Sequence, residues 1–504
     1  MSFWVRPLRA TKEGQDPQYC VDRPHSERLK GTLEMKVQRA ASMLTKRGYK
    51  IDKATLSESD IIAIRKDLLV RPASASHHQP PPPFSVLKES ATALYLPRSY
   101  AYDKLGPPAG EPKFPPHGHV PDFTFEGQLR PLQEAAVAAY LDEALNRSGA
   151  GTIVLGCGCG KTTTSLYIVH KLGVKTLIVV HKTFLLDQWR ERIKQYLPTA
   201  TVGIMKGDKF EHEGCDIVLA SLQTLISRKH PLSTNGFGLT VYDEAHHMSA
   251  CVFVTSLTHE TTRYTLGLTA TPDRKDGLGR VFSWFIGSVV FRQDASDMKR
   301  PDVRVRTPAF PQRCAPRRDP SGHPDTVAMV TDLCNDAERN KDIADIALDV
   351  LKDPQRCLLV MSERRKHLVD LYTLIEPHYG DEMGYYVGGM KADERDKVEK
   401  NARVIFAVGI CSEGFDCSRL NTIILATPKS DVEQSVGRIM RTPPGVGLHP
   451  LIIDPYDPLF AGGAQKRRAL YKKRGYRIER GAPQADADNN EEALKGLQIR
   501  APSM

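Results

Sequence analysis

The sequence predicts an α/β protein with two tandem parallel-sheet lobes behind a small N-terminal accessory region. Three observations carry this expectation. From residue 123 onward, short β-branched apolar runs alternate with stretches of helical spacing. That is the texture of strands buried on both faces and joined by helices. The pattern stops in a stretch rich in Pro and Arg, 300–324, and then restarts. The first run also leads directly into a Gly-rich loop and a helical pattern, as expected where a parallel sheet binds a ligand at its strand ends.

The accessory region is expected over 1–120. Within it, 33–49 reads as a helix with basic faces, and 57–69 as a second helix with Ser57 or Ser59 at its N-cap. Four successive prolines at 80–83 forbid a helix there and favour an extended segment. The neighbouring His77 and His78 read as a solvated linker pair rather than a metal site. More Pro and Gly between 107 and 116 place a boundary near Pro121. The first lobe is expected over 121–298, with strands at 152–155, 176–181, 216–220, 239–242 and 264–268. A variable connector, 299–330, leads to a second lobe, 331–480, with strands at 357–361, 404–407, 422–426 and 451–454. The polar tail 481–504 has the composition of a disordered segment.

Composition narrows the function classes. The chain has 504 residues, 40% hydrophobic and 26% charged, enough apolar residue to bury large cores. No run of about 18 apolar residues occurs, so no membrane span is expected. The N-terminal MSFWVRPLRATKEG has no apolar segment after its basic residues, so a cytoplasmic or nuclear setting is expected. A net charge of +10 favours a polyanionic partner. The 10 cysteines are scattered without a CxxC pair and read as reduced thiols.

The chemistry begins after the run at 152–155, in GCGCGKTT, residues 156–163. Gly156, Gly158 and Gly160 let backbone N–H groups turn towards phosphates without a Cβ in the way, and the helix N-terminus adds partial positive charge. Lys161 should meet the β- and γ-phosphates of ATP, and Thr162 should offer its hydroxyl to Mg²⁺. Cys157 and Cys159 read as small loop fillers, with Thr163 completing the cradle. Leu155 stands where the strict loop pattern has glycine. A second run, LTVY, ends in Asp243 and Glu244, carboxylates at a strand's C-terminal edge. Asp243 is placed to hold Mg²⁺ and Glu244 to orient the attacking water.

In chain order GCGCGKTT, DEAH (243–246), LTATP (268–272) and QSVGRIMR (434–441) resemble the motif set of superfamily 2 helicases. Finer strings resemble its XPB-like branch: LRPLQ at 129–133, DQW at 187–189, LGLTATPDRKDGL at 266–278, and the run from Ser412 to Arg441. The whole looks like the DEAH-type helicases of nucleocytoplasmic large DNA viruses and phages, with the poxvirus post-replicative transcription helicase as a relative. The resemblance covers about 123–478, and 57–72 resembles the N-terminal region of the same viral group.

This likeness implies two RecA-like lobes with ATP between them, and a motor that moves on or unwinds DNA in viral transcription, replication or repair. It implies that Gln434, Arg438 and Arg441 serve catalysis, that Gly414 and Asp416 sense closure, and that Gln133 reads adenine. His246, Thr269, Ala270 and Thr271 would couple hydrolysis to lobe movement. Ser435 replaces an arginine found in many members, and Arg274 with Lys275 and Asp276 stands where XPB proteins carry Arg-Glu-Asp. Candidate nucleic-acid contacts are Lys182, Thr183, Gln223, Thr224, Arg274 and Lys391. Residues 465–477 mix cations with Tyr471 and Tyr476, fitting either a phosphate grip or a helix packed on the second lobe with its basic face in water. DNA is favoured over RNA by the XPB-like detail, transcription or replication machinery is a further expected partner, and an adaptor without catalysis is disfavoured by the complete motif set.

Overall fold

The computed structural model describes residues 42–71, 82–114, 118, 123–156, 158–228, 236–244, 262–270, 279–293, 302–388, 390–408, 417, 419–429, 432–441 and 448–480. The chain divides into two compact units, Met1–Asp297 and Met298–Met504.

The first unit opens with a hairpin, β1 (Ser42–Thr45) and β2 (Gly48–Asp52). The sequence expectation of a helix at 33–49 is therefore corrected over 42–49, while 33–41 lies outside the described residues. The reason is a period of two along each strand: Ser42 and Leu44 are buried on β1, and Tyr49 and Ile51 on β2, while Met43, Thr45, Lys50 and Asp52 are not. Gly48 makes the turn possible with φ of +110°, and a Cβ there would lie 2.4 Å from the Leu96 carbonyl oxygen. Helix α1 (Glu58–Asp67) follows as expected, capped by Ser57, whose hydroxyl accepts from the Asp60 N–H. The short pair β3 (Leu69–Val70) and β4 (Phe84–Ser85) comes next, then β5 (Lys88–Glu89), β6 (Ala93–Leu96), helix α2 (Arg98–Leu105) and β7 (Gly110–Lys113). The main accessory sheet has the order β5-β6-β2-β1-β7.

Lobe one is a parallel sheet with one antiparallel edge strand, in the order β11-β10-β12-β9-β13-β14-β8-β15. Its strands are β8 (Ala150–Val154), β9 (Thr176–Val180), β10 (Val202–Lys206), β11 (Lys209–Phe210), β12 (Ile217–Ser221), β13 (Leu239–Asp243), β14 (Tyr264–Thr269) and β15 (Val289–Arg292). Helices α3 (Pro131–Asn146), α4 (Lys161–Leu172), α5 (Phe184–Tyr196), α6 (Leu222–Arg228) and α7 (Gly279–Ile286) connect them. All five residues of β9 and of β12 are buried, which is why these strands read as unbroken apolar runs. The accessory region shares a core with this lobe: Leu44, Tyr49, Leu94 and Tyr100 join one apolar cluster with Val179, Val218, Tyr242 and Phe285.

Lobe two is all parallel, in the order β18-β19-β17-β20-β21-β16-β22. Its strands are β16 (Arg304–Thr307), β17 (Leu358–Ser362), β18 (Met383–Tyr386), β19 (Val404–Val408), β20 (Thr422–Leu425), β21 (Leu451–Ile453) and β22 (Arg477–Arg480). Helices α8 (Thr326–Asn335), α9 (Ala337–Leu351), α10 (Arg365–Tyr379), α11 (Ala392–Asn401), the single turn α12 (Glu433–Val436) and α13 (Ala461–Lys473) complete it. Strand β16 lies inside the Pro- and Arg-rich stretch that the sequence reading leaves without structure. Its alternating RVRT has one buried valine, and β21 and β22 flank it on both sides. No helix of the described residues is long and apolar enough to cross a membrane.

Candidate active site

Strand β8 delivers the chain into the Gly-rich loop, and Leu155 fixes the exit: its N–H donates to the Thr269 carbonyl at 3.1 Å. Thr269 and Ala270, from the expected coupling motif, thus sit beside the loop's first residue at the end of β14. Gly156 N–H donates to Gln293 Oε1 at 3.1 Å, pinning the loop from the edge strand. Gly158 and Gly160 have φ of +76° and +83°, values that a side chain resists. Helix α4 then starts at Lys161, with Thr162 and Thr163 in its first turn and Thr164 N–H donating back to Gly160 O at 3.0 Å. This turn sequence leaves the first N–H groups of α4 without helical partners, the arrangement that receives phosphate.

Gln133 has a place that motif reading alone does not give it. It is buried near the start of α3, and its Oε1 accepts from Arg130 N–H at 2.8 Å. Its Nε2 donates towards Cys159 O at 3.3 Å and Gly160 O at 3.4 Å. Both ends of the amide therefore brace the cradle. A Cβ on Gly160 would fall 2.0 Å from Gln133 Nε2, so a side chain there would displace the bracing amide as well as strain the backbone.

The acidic strand end comes to the same place. Lys161 Nζ donates to Glu244 Oε1 at 2.5 Å, across 83 residues of sequence. Glu244 is the sole non-glycine of positive φ among the described residues, at +49°. Strain of this kind concentrates at functional sites. Asp243, one residue earlier, is pushed up to about 6 by burial, then by the negative charge of Glu244, while Lys161 and the Trp189 N–H pull the other way. Trp189, buried on α5, donates its indole N–H to Asp243 Oδ2 at 2.9 Å. The tryptophan stands in the DQW string, but nothing in sequence spacing shows that it touches the acidic strand. Oxygen donors at Thr162 and Asp243 suit a hard divalent cation such as Mg²⁺, which binds through few protein groups and substrate phosphates. No group of three or more His, Cys, Asp or Glu side chains that could hold a metal ion occurs among the described residues.

The other expected contacts separate. Gln223 is exposed at the start of α6, and its Nε2 donates to His181 O at 2.9 Å, next to Lys182 and exposed Thr183. These three lie together at the strand ends of lobe one. Thr224 faces inward instead: its hydroxyl accepts from Gly207 N–H at 3.1 Å and lies 2.8 Å from Ser221 Oγ. In lobe two, Lys391 is exposed at the N-terminus of α11, and Arg438 is half-buried in the turn Gly437–Arg441. Gln434 lies on α12 and Arg441 ends the following turn. Cys157, His246, Thr271, Arg274, Gly414 and Asp416 lie outside the described residues. The basic segment at 465–477 is helical over α13, with Tyr471 buried and its hydroxyl donating to Asp454 Oδ2 at 3.1 Å. Arg467 pairs with Asp454 at 2.9 Å, and Arg474 pairs with Glu433 beside Gln434. Lys466, Arg468, Lys472 and Lys473 remain exposed.

Comparison with known proteins gives the family of the chain. A family model described as type III restriction enzyme, res subunit, matches residues 126–274, and one for the helicase conserved C-terminal domain matches 338–443. A protein of Acanthamoeba polyphaga mimivirus named as an ATP-dependent RNA helicase is 30% identical over 456 residues, covering 87% of this chain and 86% of its own. A protein of Invertebrate iridescent virus 6 named as a helicase is 27% identical, covering 70% and 82%. The DNA 3'-5' translocase XPB2 of Sulfurisphaera tokodaii is 35% identical over a shorter match, 34% of this chain and 37% of its own. Among solved structures, a fragment of an HsdR subunit of a type I restriction enzyme from Vibrio vulnificus aligns at TM-score 0.53 and 16% identity, covering 71% and 69%. S. cerevisiae Dbp5 bound to RNA and ADP BeF3 aligns at 0.51 and 14%, covering 73% and 93%. Both support two tandem RecA-like lobes. The chain belongs to the superfamily 2 helicases, enzymes that hydrolyse ATP in a nucleic-acid-dependent way, and it stands close to the viral ones.

Proposed function

We propose that this helicase is a DNA-directed motor, using Mg²⁺-bound ATP to translocate on or unwind DNA in the life cycle of a virus. The single observation that carries the chemistry is the meeting of Lys161, Glu244 and Asp243 at the mouth of the glycine loop. A phosphate entering the cradle competes with Glu244 for the Lys161 ammonium. Transfer of Lys161 to the phosphates then leaves the Glu244 carboxylate to polarise the attacking water. Thr162 and Asp243 would hold Mg²⁺ through their oxygens, and the bound ion would supply charge neutralisation on the phosphates. Arg438 and Arg441 supply guanidinium charge to the transferring phosphoryl, and Gly414 and Asp416 report on the nucleotide. Lys182, Thr183, Gln223 and Lys391 take the phosphate backbone of the strand.

DNA is supported by the XPB-like strings LRPLQ and DQW and by the name of the archaeal relative, a DNA translocase. An RNA-directed motor is the second reading, favoured by the name of the mimivirus relative. ATP turnover measured with duplex DNA, single-stranded DNA and RNA separates the two. The proposal expects DNA to stimulate most, and stimulation by RNA alone would overturn it. Lys161→Ala is expected to abolish turnover while nucleic-acid binding persists, read by filter binding and phosphate release on the same preparation. Arg441→Ala is expected to keep ATP binding and lose turnover.

A further inference from the structure

Trp189 links two regions of lobe one that the motif set treats separately. At one end, its indole N–H reaches Asp243 Oδ2 at 2.9 Å. At the other end, helix α5 begins beside Lys182 and Thr183, and the exposed Gln223 holds the His181 carbonyl at 2.9 Å. Leu185 and Leu186 N–H groups close back on Lys182 O and Thr183 O, both at 3.2 Å, so this edge is continuous with the helix. Trp189 lies six residues past Thr183, about 9 Å along the axis. The helix is gripped along one stripe: Leu185, Leu186, Trp189 and Ile193 are all buried in the lobe-one core. A helix held in this way moves as a body, because interiors packed to crystal density do not yield continuously. A small displacement of its N-terminus must therefore reach the indole.

We propose that Trp189 is a positioning residue through which nucleic acid held at Gln223, Lys182 and Thr183 sets the orientation of the Asp243 carboxylate. The inference rests on the reading of that edge as a nucleic-acid contact. Asp243 has two oxygens, and the indole takes Oδ2. The strand then controls which way the remaining oxygen faces, and so how well Mg²⁺ with its nucleotide is held. Coupling of this kind is reciprocal: Mg²⁺ and nucleotide must tighten nucleic-acid binding by the same factor.

The test uses the full chain and a fluorescent ATP analogue, titrated with Mg²⁺ in the presence and absence of a single-stranded oligonucleotide. In the wild type the oligonucleotide is expected to lower the Mg²⁺ needed for half-saturation. Trp189→Phe keeps an aromatic ring but removes the donor. It is expected to raise that Mg²⁺ requirement on the order of tenfold, the scale of one hydrogen bond to a charged group, and to erase its response to the oligonucleotide. The chain has three tryptophans, so Trp4→Phe with Trp284→Phe leaves Trp189 as the sole indole. Its emission is expected to shift when oligonucleotide is added without nucleotide, and Gln223→Ala is expected to remove that shift. This optical readout does not depend on how well the Phe variant folds. A Trp189→Phe protein with wild-type Mg²⁺ requirement and response, or an emission that ignores the oligonucleotide in a chain that binds it, overturns the inference alone. A wild type that binds no oligonucleotide overturns the nucleic-acid reading and this inference together.

Discussion

Three buried side chains in lobe two decide where a proton sits. The His367 ring nitrogens lie 2.9 Å from Ser362 Oγ and 2.8 Å from Asn340 Oδ1. Asn340 spends its own N–H on the Cys334 carbonyl, so its oxygen faces His367 as an acceptor. His367 therefore carries its proton on Nε2 and accepts from Ser362 at Nδ1. Burial, and then the nearby Arg339 cation, push the imidazole down to about 3. The unfolded chain takes up that proton near 6.5 and the folded chain does not. The stability contributed by neutral His367 is complete above about pH 6.5 and declines as pH falls towards 3, by up to ~1.4 kcal/mol per pH unit. Urea unfolding at pH 7, 5.5 and 4.5 is expected to show this slope, and His367→Gln to flatten it. Nothing in the sequence foretells the network, because its members lie on β17, α9 and α10. Lys161, Asp243 and Glu244 are legible for the opposite reason. Each sits in a contiguous string whose chemistry is local: glycines for backbone approach, and carboxylates at a strand end.

At the level of elements, α2 adds a buried cation to the apolar core that the accessory region shares with lobe one. Arg98 is buried, donates to Arg263 O at 2.9 Å and Thr262 O at 2.5 Å, and its guanidinium lies 5.4 Å from the Phe114 ring centroid. Burial lowers it to about 10, so it stays charged at neutral pH. Arg98→Ala would strand these carbonyls and open a cavity, and is expected to destabilise the first unit by ~2–4 kcal/mol in urea unfolding. Arg98→Lys is expected to recover less than half of that, since one ammonium cannot reproduce the forked geometry. The elements that the sequence reading misses have a common cause. The hairpin β1–β2 and strand β16 are short and half-exposed, so a few buried positions at period two compete with charged neighbours. The long runs β9 and β12 are legible because both of their faces are covered, and burial leaves a continuous apolar signal. Trp189 is visible in the sequence as part of DQW, yet its contact with Asp243 spans 54 residues and is made only by folding.

For the molecule as a whole, the +10 net charge is the quantity that matters for a polyanionic track. Each phosphate neutralised by Lys or Arg releases counterions, so affinity should fall linearly in log–log terms with salt. With six or more phosphate contacts, raising salt from about 50 to about 200 mM is expected to weaken binding by roughly 10³-fold or more. Fluorescence anisotropy with a labelled oligonucleotide measures the slope directly. A flat salt response would mean that the charge serves another purpose. The cations still exposed on α13, Lys466, Arg468, Lys472 and Lys473, are expected to contribute to that slope, and their replacement by Gln should lower it.

The left-handed backbone at Glu244 has a consequence for how such a chain ages under selection. A glycine there would adopt the same conformation without side-chain strain, yet it would remove the carboxylate that meets Lys161 and that the proposed chemistry needs. The residue that the backbone would accept most readily is the one that turnover cannot use, so ease of conformation and chemistry pull against each other at one codon.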